Sequence, residues 1–153
     1  MIKIHQSKTA DTRSCDFKSV TKEQLLASSR QHINDVGLGL IFFQQMLTDA
    51  YMRHDHDKIT DIDLFHDEFI TGFATTEWWD NHRKVNRHHL LVEDGIPSDV
   101  NLIDILDMIV DCIMVGKART GTVYPLDVNP KTLMNAFNNT VELLKNNVEI
   151  VKE

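Results

Sequence analysis

Two cysteines and three prolines in 153 residues leave little to staple or punctuate this chain. Cys15 and Cys112 cannot build a disulfide framework or a four-cysteine zinc site, so any metal must be held by histidine and carboxylate. There is no surplus of basic residues either. With 16 Lys and Arg against 23 Asp and Glu the formal net charge is -7, and the cationic excess that non-specific binding to long nucleic acids requires is missing. No apolar run is long: Leu38 to Phe43 falls far short of the ~20 residues that span a bilayer. The opening MIKIHQSKTADTR lacks the apolar region of a signal peptide. These absences predict an intracellular, cytoplasmic protein with no membrane partner. What is present, 42% hydrophobic residues and eight histidines, describes one globular domain and turns attention to the histidines.

Helical spacing dominates the pattern. Residues 1–20 mix polar and apolar positions without a helical period and are expected to form an N-terminal arm, followed by a helical domain over 21–153. Thr21 and Gln24 have the form of a capping box ahead of Leu25, Leu26, Ile33 and Val36, so the first helix is expected to start near 22. Apolar residues continue to Met52 as one or two helices, with Gly37, Gly39 or Thr48-Asp49 as candidate breaks. Thr60 with Asp63 marks another helix start, and Glu77 to His89 reads as a short helix. Glu93-Asp94-Gly95-Ile96-Pro97 is turn chemistry. Ser98 then opens an apolar helix stopping at Gly116, and Asn129-Pro130 starts a last amphipathic helix running to about Val151. No period-two alternation rivals these segments. The predicted class is all-α, a compact single-domain helical bundle.

The candidates for chemistry come in a fixed order: His32, the run His54-Asp55-His56-Asp57-Lys58, His82, the pair His88-His89, and Asp111. Taken alone, a run such as RHDHDK is an ordinary solvated helix end. Asp104, Asp107 and Asp111, at i, i+3 and i+7, lie on one face of an apolar helix, which is costly unless they are paired or bind metal. His82 and His89 share a helical face; His88 points about a third of a turn away, and joins them only if the helix ends near Arg87. Of Trp78 and Trp79, one is expected in the core and the other at a pocket wall. Lys58, Arg83, Lys84, Arg87, Lys117 and Arg119 supply cations in an acidic chain, a combination that suits a small phosphate ester better than a long polyanion.

That order, His, then His-Asp, then His, then His-His, then Asp, resembles the HD superfamily of metal-dependent phosphohydrolases. More narrowly, Trp79-x-x-His82-x-x-x-Asn86-x-His88-His89, with an upstream His-Asp-x-x-Lys and a downstream Met108-x-x-Asp111, resembles a small family common in phage genomes. The likeness runs from about His32 to Asp111. It implies an HD-like helical fold and hydrolysis of a nucleotide or small phosphate ester by a metal-bridging hydroxide. It implies a divalent transition metal, two per chain, drawn from Mn, Fe, Zn, Co or Ni. The implied ligands are His32, His54, Asp55 and Asp111 at one metal, with His82, His88 and His89 completing a second. Asp107 is then available to orient a ligating imidazole. Asp55, Lys58 and His88 are the implied catalytic residues, and Lys58, Arg83 and Arg87 the implied substrate contacts. Two registers of the doublet stay open: the spacing to Lys58 favours His54-Asp55 over His56-Asp57, and His66-Asp67 is expected at the surface.

Two other functions fit the same pattern. A mixed-valent diiron oxygenase has a similar histidine-rich order, and a non-catalytic protein could bind a nucleotide without turnover. A homo-oligomer is compatible with all three. One spacing is awkward: 22 residues separate His32 from His54, about 33 Å on a straight helix, so the chain must reverse between them if both hold one metal.

Overall fold

The computed structural model describes residues 1–123 and 125–152. The fold is mostly helical, with one short two-stranded sheet: β1 (Ile2–Gln6), α1 (Lys22–Arg53), α2 (Asp57–Thr60), α3 (Ile62–Ile70), α4 (Glu77–Val85), α5 (Leu102–Thr120), α6 (Pro130–Asn146) and β2 (Val148–Lys152). Among the described residues no helix is long and apolar enough to cross a membrane. The chain divides into two compact units, residues 1–45 with 142–153, and residues 46–141.

In the first unit, α1 begins where the capping box places it. Thr21 N donates to Gln24 Oε1 at 2.9 Å and Gln24 N to Thr21 Oγ1 at 3.2 Å. The residues expected as an arm are tied down. Gln31 donates to the His5 carbonyl at 2.9 Å and accepts from Ser7 at 3.1 Å, while β1 pairs in parallel with β2, Ile2 opposite Val148. The last helix therefore does not reach Val151: it ends at Asn146, and Val148, Ile150 and Val151 belong to a strand. Five-residue strands whose partner lies at the other end of the chain have too little alternation to stand out against helical periodicity. Gly37 and Gly39 do not break α1. Each costs about 1 kcal/mol against alanine, which a 32-residue helix tolerates.

The second unit is organised around α5. Its start is Asn101 rather than Ser98: Ile103 N donates to Asn101 Oδ1 at 2.9 Å, and Asn101 N to Asp104 Oδ2 at 2.8 Å, a complete capping box. Gly116 is not its stop. The helix continues to Thr120 and closes on Gly121, in the left-handed region at φ 74°; a Cβ on Gly116 would lie 2.7 Å from the carbonyl of Thr122, where the chain folds back. Ile105 and Met108 bury their side chains with Leu90, Val100 and Ala136 to form the core. The α4 helix has no side-chain cap of its own. The buried carboxylate of Glu68, on α3, instead accepts from Trp78 N at 2.8 Å and Trp79 N at 3.2 Å, putting a negative charge at the helix N-terminus.

Candidate metal centre

Helix α1 ends because Asp55 adopts φ 52°, a left-handed conformation that Asp tolerates better than most residues. Asp55 N donates to Asn86 Oδ1 at 2.9 Å, which fixes this turn against the end of α4. The α4 helix ends at Val85, before Arg87, so the condition for His88 to join His82 and His89 is met. Two groups of ligand atoms result, each able to hold a metal ion: His54, Asp55 and His88, and Asp55, His82 and His89. Asp55 belongs to both. His56 is exposed, and its neighbour Asp57 instead accepts from His82 Nδ1 at 2.8 Å.

The chemistry of these donors fits a cation. A proton on His82 Nδ1, held by Asp57, leaves Nε2 as a lone pair; among the described residues this atom has no hydrogen-bond partner, and the side chain is 0% exposed. Asp55 Oδ1, also buried and unpartnered, lies 3.4 Å from it and 3.5 Å from His88 Nε2. His89 Nε2 and His88 Nδ1 are likewise buried and without a partner among the described residues. Acceptors facing acceptors are costly without a positive centre. Separations of about 3.4 Å are those of neighbouring ligands on an ion with bonds of ~2.1 Å. Two of the imidazoles have oriented back sides: His54 Nδ1 is 2.8 Å from Asp107 Oδ1, as His82 Nδ1 is from Asp57. A ligating histidine characteristically donates its second N–H in this way.

Titration favours the same state. Burial and the neighbouring His88 and His82 push His89 down to about 4. Burial and His54 also lower His88, so both rings are neutral lone-pair donors at pH 7. Burial raises the Asp55 carboxyl, but the hydrogen bond and charge of Lys58, with His54 and His88, outweigh it and the net shift is downward. Lys58 Nζ lies 2.5 Å from Asp55 Oδ2.

Asp111 stands at the edge of the first group, its Oδ1 3.7 Å from His54 Nε2. Trp78 is buried, stacked between Phe65 and His82; Trp79 forms a wall beside His82 and His89. Gly95 packs against His89, since a Cβ there would come 2.4 Å from the His89 carbonyl. The turn signal around Gly95 was legible in the sequence, but its contact with His89 was not.

The structure does not gather all the expected residues. No reversal occurs between His32 and His54, because α1 is unbroken; His32 belongs to the first unit, with Nδ1 3.2 Å from Asp11 Oδ2, and to neither ligand group. Arg83 and Arg87, expected as substrate contacts, are held in ion pairs. Arg83 binds Asp80 and Asp94, both at 2.5 Å; Arg87 grips Asp104 with Nε at 2.7 Å and Nη2 at 2.8 Å and reaches Asp99 at 3.0 Å. Asp104 is 4% exposed, so Arg87→Ala is expected to destabilise the fold by about 3 kcal/mol, measured by urea unfolding, by leaving a buried carboxylate unpaired. Lys84, Lys117 and Arg119 are exposed, as are His66 and Asp67. Arg53 is the cation that the sequence reading missed: it lines a cavity of about 130 Å³ with His54, Asn86, Arg87, His88 and Asp107. Only its position one residue before the doublet could have pointed to it.

The orienting carboxylates can be tested separately from the ligands. Asp107→Asn is expected to weaken metal affinity about 10- to 100-fold, measured by titration calorimetry with Mn²⁺, while the fold persists. Comparison with protein-family models, with characterised proteins and with solved structures finds no match to this chain.

Proposed function

We propose that this protein is a metal-dependent phosphohydrolase of the HD type, acting on a nucleotide or small phosphate ester. The observation that carries the reading is the sharing of Asp55 between two three-residue groups that include buried ligand atoms without partners among the described residues. Bound there, two divalent ions would supply Lewis-acid charge that lowers the pKa of water and offsets charge on a phosphoryl group. His54, Asp55 and His88 would hold one ion and Asp55, His82 and His89 the other, with Asp111 beside the first. Asp107 and Asp57 fix the tautomers of His54 and His82, and Asn86 holds the Asp55 turn and bonds Asp57 Oδ1 at 2.9 Å. Lys58, paired with Asp55 Oδ2, positions that carboxylate. Arg53, bordering the cavity at His54 and His88, is the cation placed to meet the phosphate. An HD-like single-domain bundle, a phage origin and a cytoplasmic location belong to this proposal.

The test is phosphate release from a panel of nucleoside mono- and triphosphates, cyclic nucleotides and aryl phosphates. Activity is expected with Mn²⁺ or another transition metal, to vanish with chelator and to return on readdition. Arg53→Ala is expected to raise KM about tenfold, the worth of one charge-assisted contact. Binding of a nucleotide with no turnover under any metal would favour the non-catalytic alternative.

One observation favours a diiron oxygenase as a second reading. A groove of about 410 Å³ beside His54, Asp107 and Asp111 is walled by Leu47, Tyr51, Leu106, Val110 and Met114, which suits an apolar substrate better than a nucleotide. Tightly held iron and oxygen consumption without phosphate release would establish it.

A further inference from the structure

Two spaces meet at the His54–Asp107 pair, and every residue lining them belongs to the second unit. The smaller, about 130 Å³, is bordered by Arg53, Asn86, His88 and Asn101. The larger, about 410 Å³, differs in character. Leu47 and Tyr51, four residues apart, share a face of α1 near its end, and Leu106, Val110 and Met114 keep the same spacing on α5. Both stripes line the one groove.

The charged and ligating side chains of this groove gather at one end. His54 Nδ1 is 2.8 Å from Asp107 Oδ1, and Asp111 Oδ1 is 3.7 Å from His54 Nε2, so this end is the first metal position. Leu47 lies seven residues from His54 and Met114 seven from Asp107, so the apolar walls extend about 10 Å along the two helices at 1.5 Å per residue. Away from the metal end, the Tyr51 hydroxyl is the one polar side-chain group among the lining residues.

That lining selects by chemistry. A nucleoside brings ring nitrogens, amides and hydroxyls that lose water on entry and need matched partners, which aliphatic walls do not supply. An alkyl or aryl group needs none, and the flexible thioether of Met114 adapts to its shape. A plain hydrocarbon, in turn, leaves the Arg53 guanidinium in the adjoining space without an anion to meet. A molecule with an anionic head and an apolar body matches both spaces.

We infer that the centre takes the phosphate monoester of an apolar alcohol or phenol, its organic group held between α1 and α5 by Leu47, Tyr51, Val110 and Met114. This rests on the phosphohydrolase reading and narrows its substrate class. One water is consumed: its oxygen joins phosphorus, the bond from phosphorus to the ester oxygen breaks, and that oxygen takes up a proton and leaves as the alcohol, with inorganic phosphate as the other product.

Titration calorimetry of the Mn²⁺-treated protein with ethyl-, butyl- and hexylphosphonate, whose carbon–phosphorus bond is not hydrolysed, reads the groove without turnover. Kd is expected to fall about 2- to 4-fold per added methylene, the upper figure corresponding to ~0.8 kcal/mol for a fully buried CH₂. Val110→Thr and Met114→Gln, which nearly keep side-chain shape while adding polar atoms, are each expected to flatten this dependence and to leave ethylphosphonate binding within about twofold. A Kd indifferent to chain length overturns the inference, as does a dependence that survives both variants. Phosphate release from hexyl phosphate and from adenosine monophosphate is measured in parallel, with the larger kcat/KM expected for the hexyl ester. Chain-dependent binding with no release from any ester upholds the ligand class and overturns the phosphohydrolase reading alone; release with a flat Kd overturns the inference alone.

Discussion

Asp55→Asn is expected to empty both metal positions at once and to bring phosphate release down to the level of a blank. The reason is that Asp55 is common to both ligand groups, whereas each histidine belongs to one. Asparagine is the informative replacement. It tolerates the left-handed backbone at φ 52° and keeps the backbone N–H that Asn86 accepts, so the turn survives. It removes the negative charge on which the bound cations depend, and its amide can no longer offer carboxylate oxygens to two centres. Alanine would confound the result, because its strain at this φ adds a folding defect to the loss of ligand. Metal content and circular dichroism measured on the same sample separate the two effects. Metal retained at the wild-type level in a folded Asp55→Asn protein would remove Asp55 from the centre.

The second large effect is on stability. His82→Ala is expected to cost about 3–5 kcal/mol in the metal-free protein, a large share of the ~5–15 kcal/mol that holds a typical domain together. His82 is 0% exposed and stacks on Trp78 with ring centroids 4.7 Å apart, so its removal leaves a cavity in the aromatic cluster. The deletion also strips Asp57 of the imidazole N–H that meets its Oδ2, leaving a carboxylate mostly out of water. Urea unfolding monitored by tryptophan fluorescence reads the change. The paired variant His82→Leu, Asp57→Leu removes both partners, and is expected to recover part of the loss although it binds no metal at that position. A His82→Ala protein as stable as the wild type would show that this histidine is neither packed nor paired as described.

Local signals were legible in the sequence and long-range ones were not. The Thr21–Gln24 box marks the start of α1 because both partners lie within one turn. His54-Asp55, His82, His88, His89 and Asp111 stood out by spacing, and all but Asp111 enter the ligand groups. His32 was drawn in by order along the chain alone, and an unbroken α1 leaves it with Asp11. The break expected at Gly37, Gly39 or Thr48 failed because glycine penalties are small against the propagation of a long helix. Arg83 has Asp80 one turn upstream, but the other acidic partners of Arg83 and Arg87, Asp94, Asp99 and Asp104, lie 11 to 17 residues downstream and are brought beside them only by the fold. The pairing of β1 with β2 joins the two ends of the chain, and Glu68 caps α4 from ten residues upstream, outside the first turn where a capping signal is read.

Whether Asp55 joins two metal positions is read most directly by elemental mass spectrometry of the protein purified without chelator. About two transition-metal ions per chain are expected, falling toward zero in Asp55→Asn. No bound metal, even after incubation with Mn²⁺, Fe²⁺ or Zn²⁺, would contradict the metal centre and both enzymatic readings built on it.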